Sequence, residues 1–124
     1  MEGAYITVFS GRCTRKISID DILFIERHLR KLRIVMADEE VEYYERLEHI
    51  LPQLDERFFP CLQGCYINFQ RVKSMELQQI IFEEGKSFYV GRANFLKTRK
   101  AYKKYCKKAH ETKKNACNYN ENSI

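Results

Sequence analysis

The sequence predicts a mainly β domain with a small helical component. Short runs of β-branched and aromatic residues recur from Tyr5 to Val90, separated by polar or glycine-containing turns. One stretch, Leu47 to Leu54, instead spaces its apolar residues as a helix does. From Arg92 onward the period changes again and lysines crowd in. The chain has 124 residues, enough for one domain with one core. With 44% hydrophobic residues, including eight Phe and eight Tyr, it carries what a packed body needs.

Tyr5–Phe9 is rich in β-formers and ends at Ser10-Gly11, a turn signal. Cys13 to Ile19 alternates, with Cys13, Arg15, Ile17 and Ile19 on one side, so the two runs read as a hairpin. Asp20-Asp21 breaks the pattern. Ile22–Ile25 is an apolar run of strand length that gives way to Arg27-His28-Leu29-Arg30-Lys31. Leu32–Met36 and Val41–Tyr44 are further strands around the polar turn Asp38-Glu39-Glu40.

Leu47, Ile50, Leu51 and Leu54 form one helical face, interrupted by Pro52. Proline lacks the amide donor and crowds the preceding turn, so the helix should kink or tighten there. Phe58-Phe59 and Pro60 follow, with both phenylalanines expected in the core. Cys65–Phe69 and Val72–Leu77 are strand candidates. Gln79–Phe82 and Ser87–Val90 flank Glu83-Glu84-Gly85-Lys86 as a hairpin closed by Gly91. Beyond it, Phe95, Tyr102 and Cys106 lie near one helical face. Residues 111–124 show no apolar period, and a basic, disordered tail is expected over 106–124.

The net charge of +5 is unevenly placed. Residues 1–96 hold 13 Lys/Arg against 15 Asp/Glu, whereas residues 97–124 hold 9 against 2. A localised cationic segment suits phosphate binding, because neutralised phosphates release counterions. It equally suits a solvated helix face. Five cysteines, at 13, 61, 65, 106 and 117, form no CxxC pair, so plain thiols are expected rather than a metal or redox centre. The three histidines make no ligand spacing, and phosphate-loop, G-x-S-x-G and H-E-x-x-H motifs are missing, so no enzyme and no cofactor is expected. No apolar run reaches membrane-spanning length, and Met1-Glu2-Gly3-Ala4 lacks a secretory pattern. The cytosol is the expected compartment.

Several segments, in order, carry a resemblance. Asp20-Asp21-Ile22-Leu23-Phe24-Ile25-Glu26 is similar to the "DI-x-Y/F-I/F-E" opening of the LytTR core. After the Leu47–Leu54 helix, the run from Arg57 to Asn68 resembles that family's "FFRCHRSYIVN" block. Val72 and Met75 match its "I..I" strand, and Val90-Gly91-Arg92 its terminal "vSR". The resemblance spans roughly residues 4–100 and implies a domain over 4–105. It also implies an elongated stack of small antiparallel sheets with one short helix.

The resemblance further implies sequence-specific binding of double-stranded DNA by a bacterial-type transcription regulator. Loops would enter successive major grooves at promoter repeats, with a second copy of the domain alongside. It points to Arg27, His28, Arg30, Lys31 and Arg33 in a first loop, Gln63 in a second, and Arg92 in the third. Lys97 and Lys100 in the basic segment would meet phosphates. Asn68 matches the family's "VN" and is expected to cap a turn. Leu62-Gln63-Gly64 replaces "HRS", and Pro60 replaces an arginine. That loss of charge leaves open a protein-interaction module that kept the fold and lost its DNA. No small-molecule substrate or membrane partner is expected.

Overall fold

The computed structural model describes residues 4–11 and 13–116. Ten strands and two helices follow one another: β1 Tyr5–Ser10, β2 Cys13–Ser18, β3 Ile22–His28, β4 Lys31–Met36, β5 Glu40–Tyr44, α1 Leu47–Ile50, β6 Phe58–Leu62, β7 Cys65–Asn68, β8 Val72–Glu76, β9 Gln79–Phe82, β10 Ser87–Tyr89 and α2 Arg92–Ala116. The strands form three antiparallel sheets. β1 and β2 make a hairpin, β5-β4-β3-β7-β6 a five-stranded sheet, and β10-β9-β8 a three-stranded one. The domain is mainly β, as its sequence predicts.

The five-stranded sheet separates two apolar clusters, which is why β3 is buried from Ile22 through Ile25. Ile25, Leu32, Ile34 and Tyr43 pack with the β1–β2 hairpin and α1 on one face. Phe24, Val35 and Ile67 pack with the three-stranded sheet and α2 on the other. A register shift between Ile22 and Phe24 lets both clusters draw on one strand. Aromatic contacts dominate the second cluster. Phe24 meets Phe82 at 5.7 Å and Phe88 at 4.9 Å between centroids, and Phe69 meets Tyr102 at 5.3 Å and Tyr105 at 5.4 Å.

Pro52 does what its chemistry requires. α1 stops at Ile50, and the chain tightens into a 3-10 turn over Leu51–Gln53 with the proline at its start. Leu47 and Ile50 are buried, and Leu51 and Leu54 pack against them in part. The sequence pattern marks no strand at Phe58-Phe59-Pro60, yet β6 runs through all three. Pro60 is tolerated because β6 is an edge strand, where a missing amide donor breaks no second ladder.

The expected tail also needs correction. α2 continues through Ala116, so residues 106–116 are helical. No Gly or Pro interrupts Arg92–Ala116, and its Lys, Ala and Glu are good helix formers. Phe95, Thr98, Tyr102 and Tyr105 anchor the first half, after which extension costs little. Cys106 is exposed, so Tyr105 takes the buried-face place that the period had given to the cysteine. Residues 117–124 of the expected tail lie outside the described residues.

Two similar turns frame the sheet at the end where β7 finishes. Ser18 accepts the Asp20 amide at 3.2 Å and starts a 3-10 turn over Ile19–Asp21 that leads into β3. Asn68 accepts the Gln70 amide at 2.9 Å and starts another over Phe69–Arg71 that leads into β8. The Asn68 amide nitrogen also donates to the carbonyls of Ile19 at 3.3 Å and Ile22 at 2.8 Å. Asn68 is fully buried, and its capping role comes with a second one, tying together segments distant in the sequence.

Arg57 joins the same two turns from outside. Its guanidinium bonds Asp20, Gln70 at 2.6 Å, and Asp55 at 2.8 and 2.9 Å. Partial burial pushes the Asp55 carboxyl up, but hydrogen bonds and charge from Arg57 outweigh it and hold Asp55 below its usual range. Glu39 and Glu40 are likewise held low, by Arg15 and Arg33.

Replacing Asn68 with Leu should cost roughly 3 kcal/mol, since two buried carbonyls and one amide lose partners together. Asn68→Asp should be worse, because it sets a carboxylate against both carbonyls. Urea titration measures each cost, and losses under about 1 kcal/mol would show that water replaces the amide. Acid should also weaken the fold. A carboxylate with a lowered folded pKa stabilises above its unfolded value and loses that contribution as pH falls. The urea midpoint should therefore drop below about pH 4.5. Arg57→Gln should flatten that acid limb by removing the Asp55 part of it.

Candidate nucleic-acid interface

Antiparallel register decides which loops meet. His28 pairs with Lys31, leaving Leu29-Arg30 as a two-residue turn between β3 and β4. Leu62 pairs with Cys65, leaving Gln63-Gly64 as the turn between β6 and β7. The Arg27 amide donates to the Gly64 carbonyl at 2.7 Å, so both turns stand at one end of the sheet. Gly64 has φ +79, and a Cβ there would lie 3.4 Å from the Arg27 guanidinium. Backbone conformation and close approach both call for glycine. β5 returns to the same end, because Tyr44 pairs with Lys31. It delivers Arg46, at the start of α1, to a groove shared with Arg27 and Arg30.

The residues of the first loop divide by strand face. Glu26 pairs with Arg33 and His28 with Lys31 on one face, while Arg27 pairs with Leu32 on the other. Arg33 is held in the sheet. It bonds Glu40 at 2.8 and 3.0 Å and also Glu26. His28 lies 3.1 Å from Glu42, and the Lys31 ammonium stands 5.0 Å from the centre of the Tyr44 ring. Among the described residues, Arg27 and Arg30 form no ion pair, and neither does Arg46, which the sequence pattern does not single out. Nothing local in the sequence marks Arg46. Its nearness to Arg27 depends on how β5 pairs. Glu48 nearby is held below the usual carboxylate range, first by its own backbone amide and then by Arg46, His49 and Arg27.

Leu29 sits at φ +61, a left-handed conformation that costs a non-glycine residue about 1 kcal/mol. Leu77 and Gln78, the turn between β8 and β9, also have positive φ, at 53 and 62 degrees. The Val90 amide donates to the Gln78 carbonyl at 2.8 Å, which sets Arg92 beside that turn as the exposed first residue of α2. Lys97 and Lys100 are exposed, off the face that carries Phe95, Thr98, Tyr102 and Tyr105. Near its other end, α2 places Lys108 at 3.6 Å from Glu56, just before β6 begins. At a rise of about 1.5 Å per residue, Arg92 stands about 24 Å back along the helix from that corner.

The structure thus brings Arg27, Arg30, Arg46 and Gln63 to one end of the sheet. Arg92, Lys97 and Lys100 form a second group on α2. The replaced "HRS" residue Leu62 is half-buried and packs into the second core, while Gln63 is exposed. Cys61 and Cys65 are buried, and Cys13 and Cys106 are exposed. Among the described residues, His, Cys, Asp and Glu form no cluster able to hold a metal, and no helix is long and apolar enough to cross a membrane.

Comparison with known proteins agrees with this architecture. Residues 12–103 match the model of the LytTr DNA-binding domain. The accessory gene regulator protein A of two Staphylococcus epidermidis strains is 29% identical over 85 residues, covering 65% of this chain. The chain spans 35% of the length of those relatives. A solved LytTr DNA-binding domain, from a methyl-accepting/DNA response regulator of Bacillus cereus, superposes with a TM-score of 0.66. That match covers 81% of this chain and 97% of the other at 12% identity, a likeness of fold. The match over residues 12–103 takes in most of the chain, and the chain belongs to the LytTr DNA-binding domain family.

Proposed function

We propose that this chain binds double-stranded DNA sequence-specifically, as the DNA-binding part of a response-regulator type of transcription factor. One observation carries the proposal. Arg15, Arg33, Arg57 and Arg71 each pair with a carboxylate within the domain. Among the described residues, Arg27, Arg30, Arg46, Arg92 and Arg99 form no ion pair, and the first four stand at or beside turns or helix starts. Cations not locked in an ion pair are what phosphates and guanine edges require.

On this reading the end of the five-stranded sheet enters one major groove. Arg30 and Gln63 reach base edges there, and Arg27 reaches a base or a flanking phosphate. Gln63 has the amide geometry to pair with adenine, and an arginine has the fork that fits guanine. Arg92 addresses a neighbouring groove, with Lys97 and Lys100 on adjacent phosphates. Arg33, His28 and Lys31 brace the hairpin through Glu26, Glu40, Glu42 and Tyr44. Two copies would sit side by side on promoter repeats. The burial of Leu62 gives the changed second loop a packing reason, which weakens the case for a domain that has lost its DNA.

Binding to duplexes chosen by in vitro selection, followed over a salt series, tests the proposal. Arg92→Ala should weaken the selected site by about 1–3 kcal/mol and relax preference at one position. Lys97→Gln with Lys100→Gln should weaken all duplexes alike and lower the salt slope by about 2. If Arg92→Ala folds and binds unchanged, the proposal loses its chief contact. Failure to select any duplex would favour the protein-interaction module.

A further inference from the structure

We infer that Leu29 reads a thymine 5-methyl group in the major groove. The inference rests on the DNA-binding reading above and adds to it an apolar contact. Leu29 is 84% exposed at the apex of a two-residue hairpin, with the backbone at φ +61. For folding alone this is a poor choice. Glycine or asparagine would relieve the backbone, and neither would leave a large apolar side chain in water.

The surroundings specify what the side chain could meet. Arg30 shares the turn with Leu29, Arg27 lies two residues before it, and Arg46 lines the same groove. Gln63 belongs to the neighbouring turn. Glu45 and Glu48 line the groove as well, against three guanidiniums, and none of the three is held in an ion pair among the described residues. An apolar apex among such guanidiniums fits a surface with phosphates at its rim and an apolar group on its floor. The major groove of B-DNA is such a surface, and the thymine methyl is the apolar group on its floor. It is about 12 Å wide and admits a two-stranded ribbon, whereas the minor groove, about 6 Å wide, does not.

Leu77 provides an internal comparison. It is 89% exposed and also left-handed, but its turn neighbours are Glu76, Gln78 and Gln79, with no cation in the turn. Arg92 stands beside that turn rather than within it, whereas Arg30 shares the turn with Leu29 and Arg27 and Arg46 line its groove.

The experiment replaces thymine by deoxyuridine, one position at a time, in the best selected duplex. Affinity is measured for the unsubstituted chain, Leu29→Asn and Leu77→Asn. Asparagine tolerates the left-handed backbone, and thermal unfolding checks that each variant is folded. One position should show a uracil penalty of about fourfold, the equivalent of one methyl-sized group leaving an apolar contact. Leu29→Asn should lose that penalty, and Leu77→Asn should keep it. A penalty the same in all three proteins, or one removed by Leu77→Asn instead, overturns the assignment. So does a duplex bound tightly with no uracil penalty anywhere. Absence of duplex binding by the unsubstituted chain would overturn the DNA-binding reading itself, a result distinct from these.

Discussion

The carboxamide of Asn68 is the joint on which the two apolar cores depend. Fully buried, it uses its nitrogen on two carbonyls from the turn entering β3 and its oxygen on an amide from the turn entering β8. β3 is a central strand that both cores share, and β8 begins the sheet that covers the second core. Every polar atom of this side chain is spent on fixing one chain segment against another. Arg57 repeats the link from the surface, reaching Asp20 in the first turn and Gln70 in the second. Burying a carboxamide is favourable only when its hydrogen bonds are made, so the two turns hold their spacing or the site fails.

That joint lies at one end of the five-stranded sheet, and the candidate interface lies at the other. β7 runs from the Gln63-Gly64 turn to Asn68, and β3 runs from the Ile19–Asp21 turn to the Leu29-Arg30 turn. Internal charge pairing follows the same axis in part. Arg57 is spent at the joint, and Arg33 is spent in mid-sheet between Glu26 and Glu40. Among the described residues, only past Arg33, toward the hairpin tips, do the arginines of this hairpin form no ion pair. A cation neutralised within the fold has little left for a phosphate, so the loops' reach is set by which carboxylates the sheet places beside them.

Much of this was legible in the sequence because strand burial has period two and helix burial a longer one. The hairpins of β1–β2 and β9–β10, the central strands and the proline-tightened helix follow from such local patterns. β6 was missed because Pro60 argues against a strand unless it is known to lie at a sheet edge, and edges are a property of topology. The length of α2 was missed because its second half carries no apolar stripe, and its continuation rests on propensity and on the anchored first half. The candidate interface was legible as a cluster of charges and, at Gln63 and Arg92, through the family resemblance. Arg27 and Arg33 look alike in sequence, six residues apart in one basic run. They separate only when β5 places Glu40 beside one of them and the glycine turn beside the other. Arg46 was invisible for the same reason.

The division of the sheet into a jointed end and a free end has a mechanical consequence. The tips are short. Two residues turn each of the β3–β4 and β6–β7 hairpins, and the ladders behind them are paired to the last residue before the turn. Little conformational freedom remains to be lost when such a tip meets a ligand, which lowers the cost of binding. A left-handed leucine persists there because the ladder imposes it, as strained residues persist wherever surrounding structure over-determines them. The strain of Leu29 is therefore borne by the β3–β4 pairing, and that pairing is held at its far end by Asn68. A change at the joint would reach the tips through β3, and by linkage a change at the tips would reach the joint through the same strand.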